Sequence, residues 1–235
     1  MIIIEKIVTL QTDMILKDVT LSYGKKVVAS GINAELSAGE LVCLVGRNGS
    51  GKSTLIRHIL RLGNGVEAGT ADGRHDVARL ISVVLTDRID VENMTVADVV
   101  ALGRTPYTGF FGLLSDKDRA IVSEAMSMTG ITEFAKRMVS TLSDGERQKA
   151  VIAKALAQQT PIILLDEPTA FLDHPSKVET MTLLRRLCRE QHKAVLISTH
   201  DLEVSVPYCD RVWLMKDGRM ETMTPEKFSF DKLAN

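Results

Sequence analysis

"GRNGSGKST", residues 46–54, fits the pattern G-x-x-x-x-G-K-[ST] in full. The apolar run ELVCLV at residues 40–45 comes directly before it, and apolar side chains at helical spacing follow it over residues 55–60. A buried strand, a glycine-rich loop and a helix in this order predict a phosphate-binding loop, because the glycines let consecutive backbone N–H groups converge on phosphate oxygens. The alternative, a chance glycine-rich turn, is disfavoured by the strand and the helix on either side.

The side chains of this loop have predicted roles of their own. We expect Lys52 to reach the β and γ phosphates of a nucleotide, and the hydroxyl group of Ser53 to ligate Mg²⁺. The predicted phosphate-binding residues are Gly46, Asn48, Gly49, Ser50, Gly51, Lys52, Ser53 and Thr54.

A second group of polar side chains ends the run IILLDEP at residues 162–168. Asp166 stands at the end of an apolar strand, where a carboxylate can hold Mg²⁺ through its water shell. Glu167 is the adjacent carboxylate that can orient or deprotonate an attacking water. An Asp-Glu pair at a strand end is more often only a turn, but the phosphate-binding loop favours the functional interpretation.

His200, in LISTHD at residues 196–201, also follows an apolar strand. A single histidine at such a place is usually solvated or satisfied by its own surroundings. However, His200 follows the phosphate-binding loop and the Asp-Glu pair in the chain. This order favours a second interpretation, in which His200 contacts the γ phosphate from the side opposite to the loop.

The other apolar runs predict the rest of the core. LISVVL at 80–85, AVLIS at 194–198 and RVWLM at 211–215 are strand candidates, and the helical pattern VETMTLLRRLC lies between two strands. Strands that alternate with helices predict a parallel sheet. Short alternating stretches over residues 15–36 predict an antiparallel patch, and KDG at 216–218 predicts a closing hairpin.

Between residues 90 and 159 the strand signal disappears and helical patterns replace it. We therefore predict an α/β fold, a P-loop NTPase core with a parallel sheet, an N-terminal antiparallel β patch and an inserted helical lobe. The predicted domain is single and spans residues 1–235, with the α/β core at 1–87 and 160–235 and the lobe at 88–159. The first thirteen residues are either an extra strand or an extension from an upstream start.

Composition restricts the class of protein. The 29 Lys and Arg residues balance 30 Asp and Glu residues, so nothing favours a nucleic-acid or lipid surface. Cys43, Cys188 and Cys209 are scattered without C-x-x-C spacing, which predicts neither a disulfide framework nor a zinc site and suits a reducing compartment, the cytosol. The initial apolar run is too short for a signal peptide, and no stretch reaches the length of a membrane-spanning helix.

LSDGE at residues 142–146 opens a helix with a reciprocal S-x-x-E cap, in which Ser143 accepts from the backbone N–H of Glu146. A helix N-terminus fronted by glycine is a ready anion site. The same capping pattern occurs in TVAD at 95–98 and SDKD at 115–118 with no phosphate in prospect. The cap alone therefore does not explain a second anion site.

Five motifs taken together resemble the ATP-binding cassette (ABC) family of transport ATPases, from residue 14 onward. They are GRNGSGKST, LSDGE, IILLDEP, FLD at 171–173 and STH at 198–200. Each motif is common, but their combination is highly specific.

The resemblance implies roles for individual residues. It implies that ATP and Mg²⁺ are the cofactors, that Glu167 is the catalytic carboxylate and that His200 contacts the γ phosphate. Tyr23 is similar to the aromatic residue that stacks on adenine, and Asp173 to the loop that signals between subunits.

The resemblance also explains the second anion site. In this family two cassettes pack head to tail, so the LSDGE helix of one chain caps the γ phosphate held by the other. The residues assigned to this signature are Leu142, Ser143, Asp144, Gly145 and Glu146. The family normally has glycine where this chain has Asp144. A carboxylate about 5 Å from one phosphate charge would cost about 3 kcal/mol at an effective dielectric constant of about 20, so Asp144 should point away from the nucleotide.

A second difference from the usual family sequence comes directly after the predicted strand at residues 80–85. The family normally places there a glutamine that joins Mg²⁺ and the attacking water to the helical lobe, and this chain has Thr86. A threonine side chain is too short to span the same gap unless the loop moves inward or a water bridges it. Thr86 and Asp87 are the candidate substitutes for this contact to Mg²⁺.

The stretch MTVADVVALGRTPYTGFFG at residues 94–112 carries the candidate partner site. Tyr107, Phe110 and Phe111 cluster among glycine and proline in a chain with 4% aromatic residues. One interpretation is a loop that folds its rings onto its own lobe. The other is an apolar surface that docks a membrane permease, as in the similar segment of bacterial cassettes that drive uptake of iron-siderophore complexes, haem and cobalamin.

We therefore predict the ATPase subunit of an ABC importer at the cytoplasmic face of the cell membrane. The expected partners are a second copy of the chain in the ATP-bound state, a pair of integral-membrane permease subunits and a periplasmic or surface substrate-binding protein, with no nucleic acid. The alternative is a soluble ABC ATPase without a permease, of the iron-sulfur cluster assembly type or the nucleic-acid clamp type. A degenerate, nucleotide-sensing subunit is disfavoured by the intact Lys52, Asp166, Glu167 and His200.

Overall fold

The N-terminal strands form an antiparallel patch. The computed structural model describes residues 6–10, 13–63, 73–85, 93–109 and 111–234. Strands β1 (Lys6–Leu10), β2 (Asp13–Tyr23) and β3 (Lys26–Leu36) pair antiparallel in the order β1-β2-β3. The predicted patch is thus confirmed, and of the two alternatives for the first thirteen residues the structure contains the extra strand, with Leu10 opposite Asp13.

The central sheet has six strands in the order β5-β6-β7-β4-β8-β9. They are β4 (Leu41–Gly46), β5 (Ile81–Val84), β6 (Ile162–Asp166), β7 (Ala194–Ser198), β8 (Arg211–Lys216) and β9 (Arg219–Met223). Strands β5, β6, β7, β4 and β8 run parallel, and β9 returns antiparallel as a hairpin. All parallel strand ends therefore meet at one edge.

The helices cover this sheet and build the lobe. They are α1 (Lys52–Gly63), α2 (Gly73–Leu80), α3 (Val96–Ala101), α4 (Asp116–Met128), α5 (Asp144–Ala157), α6 (His174–Gln191), α7 (Leu202–Ser205) and α8 (Asp231–Ala234). Short 3-10 turns lie at Leu102–Tyr107, Thr132–Phe134, Val139–Thr141, Val206–Tyr208 and Pro225–Lys227. In the described part of the chain, none of these helices is long and apolar enough to cross a bilayer.

The core lies on both faces of β4. Val42 and Leu44 pack with α1 and the antiparallel patch, whereas Cys43 and Val45 pack with the helical lobe and α6. Because successive side chains of a strand point to opposite faces, a strand covered on both sides is a continuous apolar run. This arrangement explains the run ELVCLV.

The helical lobe is built by α3, α4 and α5, which lie between β5 and β6 in the chain. Their apolar faces share one cluster that includes Val99, Val122 and Ile152. The predicted fold class is confirmed. The exact limits of the lobe at residues 88 and 159 stay a prediction.

One expectation about the cysteines is wrong. Cys43 and Cys209 form a disulfide bond across 166 residues, with Cα atoms 6.1 Å apart. Cys43 lies on β4 and Cys209 shortly before β8, and the parallel pairing of these strands brings the two residues together, which spacing along the sequence does not reveal. Cys188 is free and buried, and burial raises the pKa of its thiol to about 12.

Candidate functional site

The glycine loop joins the end of β4 to the start of α1. Gly51 has φ +106°, in the region that L side chains rarely adopt, and a Cβ there would lie 2.9 Å from a methyl carbon of Val28. At Gly46 a Cβ would meet the carbonyl oxygen of Met215 at 2.6 Å. Both glycines are therefore required by the path of the backbone.

Lys52 extends back along the loop from the first residue of α1. Its Nζ donates to the carbonyl oxygens of Gly46 at 2.8 Å and Arg47 at 3.4 Å, and the residue is only 6% exposed. Burial lowers the pKa of this amine, while the carboxylates of Glu167 and Asp166 act in the opposite direction. The cation is thus held at the opening of the loop with two carboxylates close by.

The loop has unused capacity for an anion. Ser50 Oγ is buried and has no hydrogen-bond partner among the residues that the structure describes. The helix that starts at Lys52 offers the unpaired N–H groups of its first turn, and its dipole favours negative charge there. These features fit the phosphates of a nucleotide.

Ser53 and Asp166 meet next to this loop. Ser53 Oγ donates to Asp166 Oδ1 at 3.2 Å, and Ser198 Oγ donates to the same oxygen at 2.5 Å. Asp166 is 5% exposed. A hydroxyl and a carboxylate beside a phosphate site form the oxygen donor set that Mg²⁺ prefers, with phosphate oxygens and waters completing its shell.

Glu167 and His200 follow the neighbouring parallel strands β6 and β7. In this register Asp166 lies opposite Ser198, and His200 Nδ1 is 3.1 Å from Glu167 Oε2. Glu167 has φ +52°, and its N–H donates to the carbonyl oxygen and to Oγ of Ser198. These contacts with Ser198 hold Glu167 in a backbone conformation that costs a non-glycine residue free energy, with its carboxylate beside the histidine.

Sequence reasoning missed a network that supports this pair. Asp201 accepts from Thr169 Oγ1 and from Lys177 Nζ, each at 2.6 Å. Burial alone would raise the pKa of Asp201, but the hydrogen bonds from Lys177 and Thr169 outweigh it and lower the pKa. The network joins the loop after β6 to the loop after β7. Only the adjacency of Asp201 to His200 in the sequence could have indicated it.

The LSDGE helix has the predicted cap. Glu146 N–H donates to Ser143 Oγ at 3.3 Å, and Ser143 N–H donates to Glu146 Oε2 at 2.7 Å. The backbone hydrogen bond from Ser143 is the main cause of the lowered pKa of Glu146. Leu142 is buried, whereas Ser143 is exposed at the N-terminal start of α5. Asp144 forms an ion pair with Arg147 at 3.0 Å, so its charge is balanced within its own helix.

The remaining predicted residues lie around this centre. Tyr23, at the end of β2, is 75% exposed. Asp173 caps α6 by accepting from Ser176 N–H at 3.0 Å. Thr86, Asp87 and Phe110 lie outside the described residues.

The aromatic residues of the partner segment divide into two kinds. Tyr107 is half-buried, and its hydroxyl group donates to the carbonyl oxygen of Gln158 at 2.9 Å. For this residue the structure supports the alternative that the ring folds onto its own lobe. Phe111 is 83% exposed and Leu113 is 79% exposed. Phe111 and Leu113 therefore expose apolar side chains in this segment, and the docking role of Tyr107, Phe110 and Phe111 stays a prediction.

Comparisons with known proteins agree with this arrangement. The family model described as "ABC transporter" matches residues 29–170. An uncharacterised ABC transporter ATP-binding protein of Methanocaldococcus jannaschii is 40% identical over 87% of this chain and 73% of its own. A petrobactin import ATP-binding protein of Bacillus anthracis is 36% identical over 92% and 84%. A ferric enterobactin transport ATP-binding protein of Escherichia coli is 36% identical over 87% and 78%.

One solved structure with the same fold is a dimer. The structure described as a dimeric bacterial ABC transporter cassette matches with a TM-score of 0.76 and 28% identity over 91% of this chain and 99% of its own. The same cassette, described in a post-hydrolysis state bound to ADP and phosphate, matches with a TM-score of 0.75 and the same identity and coverage.

Proposed function

The chain belongs to the ABC transporter family, and from this premise we propose that the importer it powers carries an iron chelate, haem or cobalamin. Membership of this family confirms the resemblance that the five motifs predicted. The chain is the subunit of an ABC importer that binds and hydrolyses ATP. The observation that carries the function is the meeting of Lys52, Asp166, Glu167 and His200 at one edge of the sheet. An iron chelate as cargo is supported by the relatives named for petrobactin import and ferric enterobactin transport.

The residues of the loop bind the nucleotide. Lys52 and the N–H groups at the start of α1 hold the phosphates, and the exposed ring of Tyr23 stacks on adenine. Ser53 and Asp166 are the residues that fit Mg²⁺. Bound there, Mg²⁺ would neutralise charge on the phosphates.

Hydrolysis depends on Glu167 and His200. The carboxylate of Glu167 orients a water molecule and accepts its proton, and His200 contacts the γ phosphate. The distance of 3.1 Å between His200 Nδ1 and Glu167 Oε2 supports this proposal, because the two side chains are close enough to act on the same group. Asp201, held by Lys177 and Thr169, fixes the loop that carries His200.

Two copies complete two sites. Ser143 and the first turn of α5 in one copy face the γ phosphate bound by the other copy, with Asp173 between the subunits. ATP binding closes the pair and hydrolysis reopens it. Because Asp144 is paired with Arg147, the first turn presents its N–H groups without an unbalanced carboxylate.

The membrane partners follow from the lobe. Phe111 and Leu113, with Phe110 between Gly109 and Phe111 in the sequence, form the surface that receives a permease at the cytoplasmic face of the membrane. A periplasmic or surface protein delivers the cargo to that permease.

The test is to isolate the tagged chain from cells in mild detergent and to identify by mass the proteins that come with it. We expect a stoichiometric polytopic permease, whose neighbouring genes would identify the cargo. Recovery of only soluble partners, a cluster scaffold or nucleic acid would contradict the importer and would favour a soluble ABC ATPase.

A further inference from the structure

The segment GRTPY at residues 103–107 has a role that nucleotide binding does not explain. It forms the 3-10 turn that follows α3 and leads into residues 108–115, which we call the docking segment because it contains the exposed Phe111 and Leu113. The backbone at Gly103 and the side chains of Arg104 and Tyr107 contact the C-terminal end of α5.

Gly103 lies directly against α5. A Cβ at this position would be 2.2 Å from the carbonyl oxygen of Lys154 and 3.0 Å from the Cβ of Ala157. Only glycine permits so close an approach of the two backbones. The docking segment is therefore joined to a turn that touches the end of α5 without an intervening side chain.

Arg104 joins three elements. It is 3% exposed, and its Nε donates to Asp118 Oδ1 on α4 at 2.9 Å. One terminal nitrogen donates to the carbonyl oxygen of Ala157 at 2.8 Å and to Gln159 Oε1 at 3.1 Å. The guanidinium also lies 4.0 Å from the centre of the Tyr107 ring. Since Tyr107 precedes the docking segment and Asp118 follows it, Arg104 holds both of its ends.

The GRTPY turn and the C-terminal end of α5 are also connected to the core. Tyr107 donates to the carbonyl oxygen of Gln158, whose side-chain amide donates to the carbonyl oxygens of Ala78 at 2.6 Å and Ile81 at 3.2 Å. Arg79 donates to the carbonyl oxygen of Pro106 at 3.4 Å. The end of α5 is thus fixed to the turn on one side and to the start of β5 on the other.

We propose that Arg104 is a positioning residue that makes the docking segment and the signature helix α5 one rigid unit. Helix α5 has 14 residues, about 21 Å at 1.5 Å per residue, and Ser143 caps the end opposite to Arg104. A permease that displaces the docking segment therefore turns α5 about the end that is fixed at Gln158, and this moves Ser143 relative to the ATP held by the other copy. This inference rests on the proposed function for the permease, but the rigid unit itself is a property of the isolated chain.

The first experiment measures hydrogen exchange of Arg104→Lys in the isolated full chain. A lysine keeps the charge but cannot span the three acceptors as a guanidinium does. A hydrogen bond from a charged group contributes enough for roughly a tenfold or greater change in local opening. We expect exchange to rise about tenfold in residues 105–115 and at the end of α5, with residues 142–150 unchanged.

The matched control is Arg219→Lys, an exposed arginine on β9. It should leave exchange in both segments as in the wild type. Tyr107→Phe removes only the hydroxyl group and should raise exchange in the same two segments by a smaller factor. Unchanged exchange in Arg104→Lys, or a rise spread evenly over the chain, would overturn the inference.

The second experiment measures how strongly the permease stimulates ATP hydrolysis by the chain. The permease that co-purifies with the tagged wild-type chain is reconstituted with each variant, and ATP hydrolysis is compared with and without it. Arg104→Lys should keep the basal rate of the isolated chain and lose stimulation by the permease, whereas Arg219→Lys keeps both. Full stimulation of Arg104→Lys would overturn the inference. Failure of the wild-type chain to recover any permease would instead contradict the proposed function.

Discussion

Glu167 shows how a single residue is positioned by the strand before it. Its φ of +52° and its two contacts with Ser198 turn the carboxylate away from the axis of β6 and toward His200. A positive φ costs a non-glycine residue free energy, so the surrounding hydrogen bonds must hold it in place. This geometry gives the carboxylate a fixed direction before nucleotide arrives.

Glu167→Gln should therefore remove hydrolysis and leave ATP binding. The amide keeps the shape of the side chain but cannot accept a proton from water, so we expect turnover to fall by about 10²- to 10⁴-fold. Single-turnover hydrolysis and equilibrium binding of ATP would measure the two effects separately. Glu203→Gln, on the exposed face of α7, is the matched control and should hydrolyse ATP at the wild-type rate. Normal turnover by Glu167→Gln would remove Glu167 from its role.

The residues of the site differ in how well the sequence predicts them. Asp166, Glu167 and His200 could be predicted because each lies at or just after the end of a parallel strand, and such strand ends meet at one edge. Lys177 could not, because it reaches Asp201 from the first turn of another helix. The position of Tyr107 depended on a buried arginine and on the carbonyl oxygen of Gln158, neither of which has a sequence signal.

The helix caps show that a local sequence pattern predicts the structure of an element but not its role. Thr95 on α3, Ser115 on α4 and Ser143 on α5 each form a complete capping box. The three caps are alike in structure, and each should stabilise its helix by about 1 kcal/mol. Only the cap of α5 is predicted to face a phosphate.

The pair Ser143→Ala and Thr95→Ala separates these two roles. Both substitutions should lower the free energy of unfolding by about 1 kcal/mol. Only Ser143→Ala should also weaken ATP-driven pairing of the chains, by at least about tenfold, since it removes a hydrogen bond to a charged phosphate. Urea unfolding and sedimentation with Mg-ATP would measure the two quantities. Equal effects of both substitutions on pairing would reduce Ser143 to a helix cap.

The cap of α4 should give the fold a measurable acid dependence. Hydrogen bonds from Ser115, followed by that from Arg104, lower the pKa of Asp118 to about 2. Because the pKa in the folded state lies below that in the unfolded state, ionised Asp118 stabilises the fold above about pH 4, and this contribution is lost as the pH falls toward 2.

Asp118→Asn should therefore flatten the fall in the free energy of unfolding between about pH 4 and pH 2. Asp116→Asn, two residues earlier and exposed in the first turn of α4, is the control and should keep the wild-type slope. Parallel curves for wild type and Asp118→Asn, measured by urea unfolding at each pH, would show that the carboxylate does not have this effect.

Elements with strong local signals were predictable and short ones were not. The KDG hairpin is confirmed, with Asp217 and Gly218 both at positive φ, as a tight turn between β8 and β9 requires. The 3-10 turn at Leu102–Tyr107 and the short helix α2 were not predicted. Their conformations depend on contacts with α5 and β5 rather than on a periodic pattern of their own.

At the scale of the whole molecule, the sheet brings every predicted catalytic group to one edge, while the signature helix belongs to an inserted lobe. The two anion sites are explained if the glycine loop holds the chain's own nucleotide and the start of α5 faces the nucleotide held by a second copy. The fold of the single chain could be predicted from alternating strands and helices. The pairing of two copies came only from resemblance to a family, because a single sequence does not record which surface meets another chain.

The measurement that tests this account most directly is the mass of Glu167→Gln in solution, by light scattering, with and without Mg-ATP. The chain has a mass of 25.8 kDa. We predict twice that mass with Mg-ATP and the single mass with ADP or without nucleotide, and Lys52→Ala in the same background should stay at the single mass throughout. A single mass for Glu167→Gln at saturating Mg-ATP, with ATP binding confirmed, would contradict the central claim.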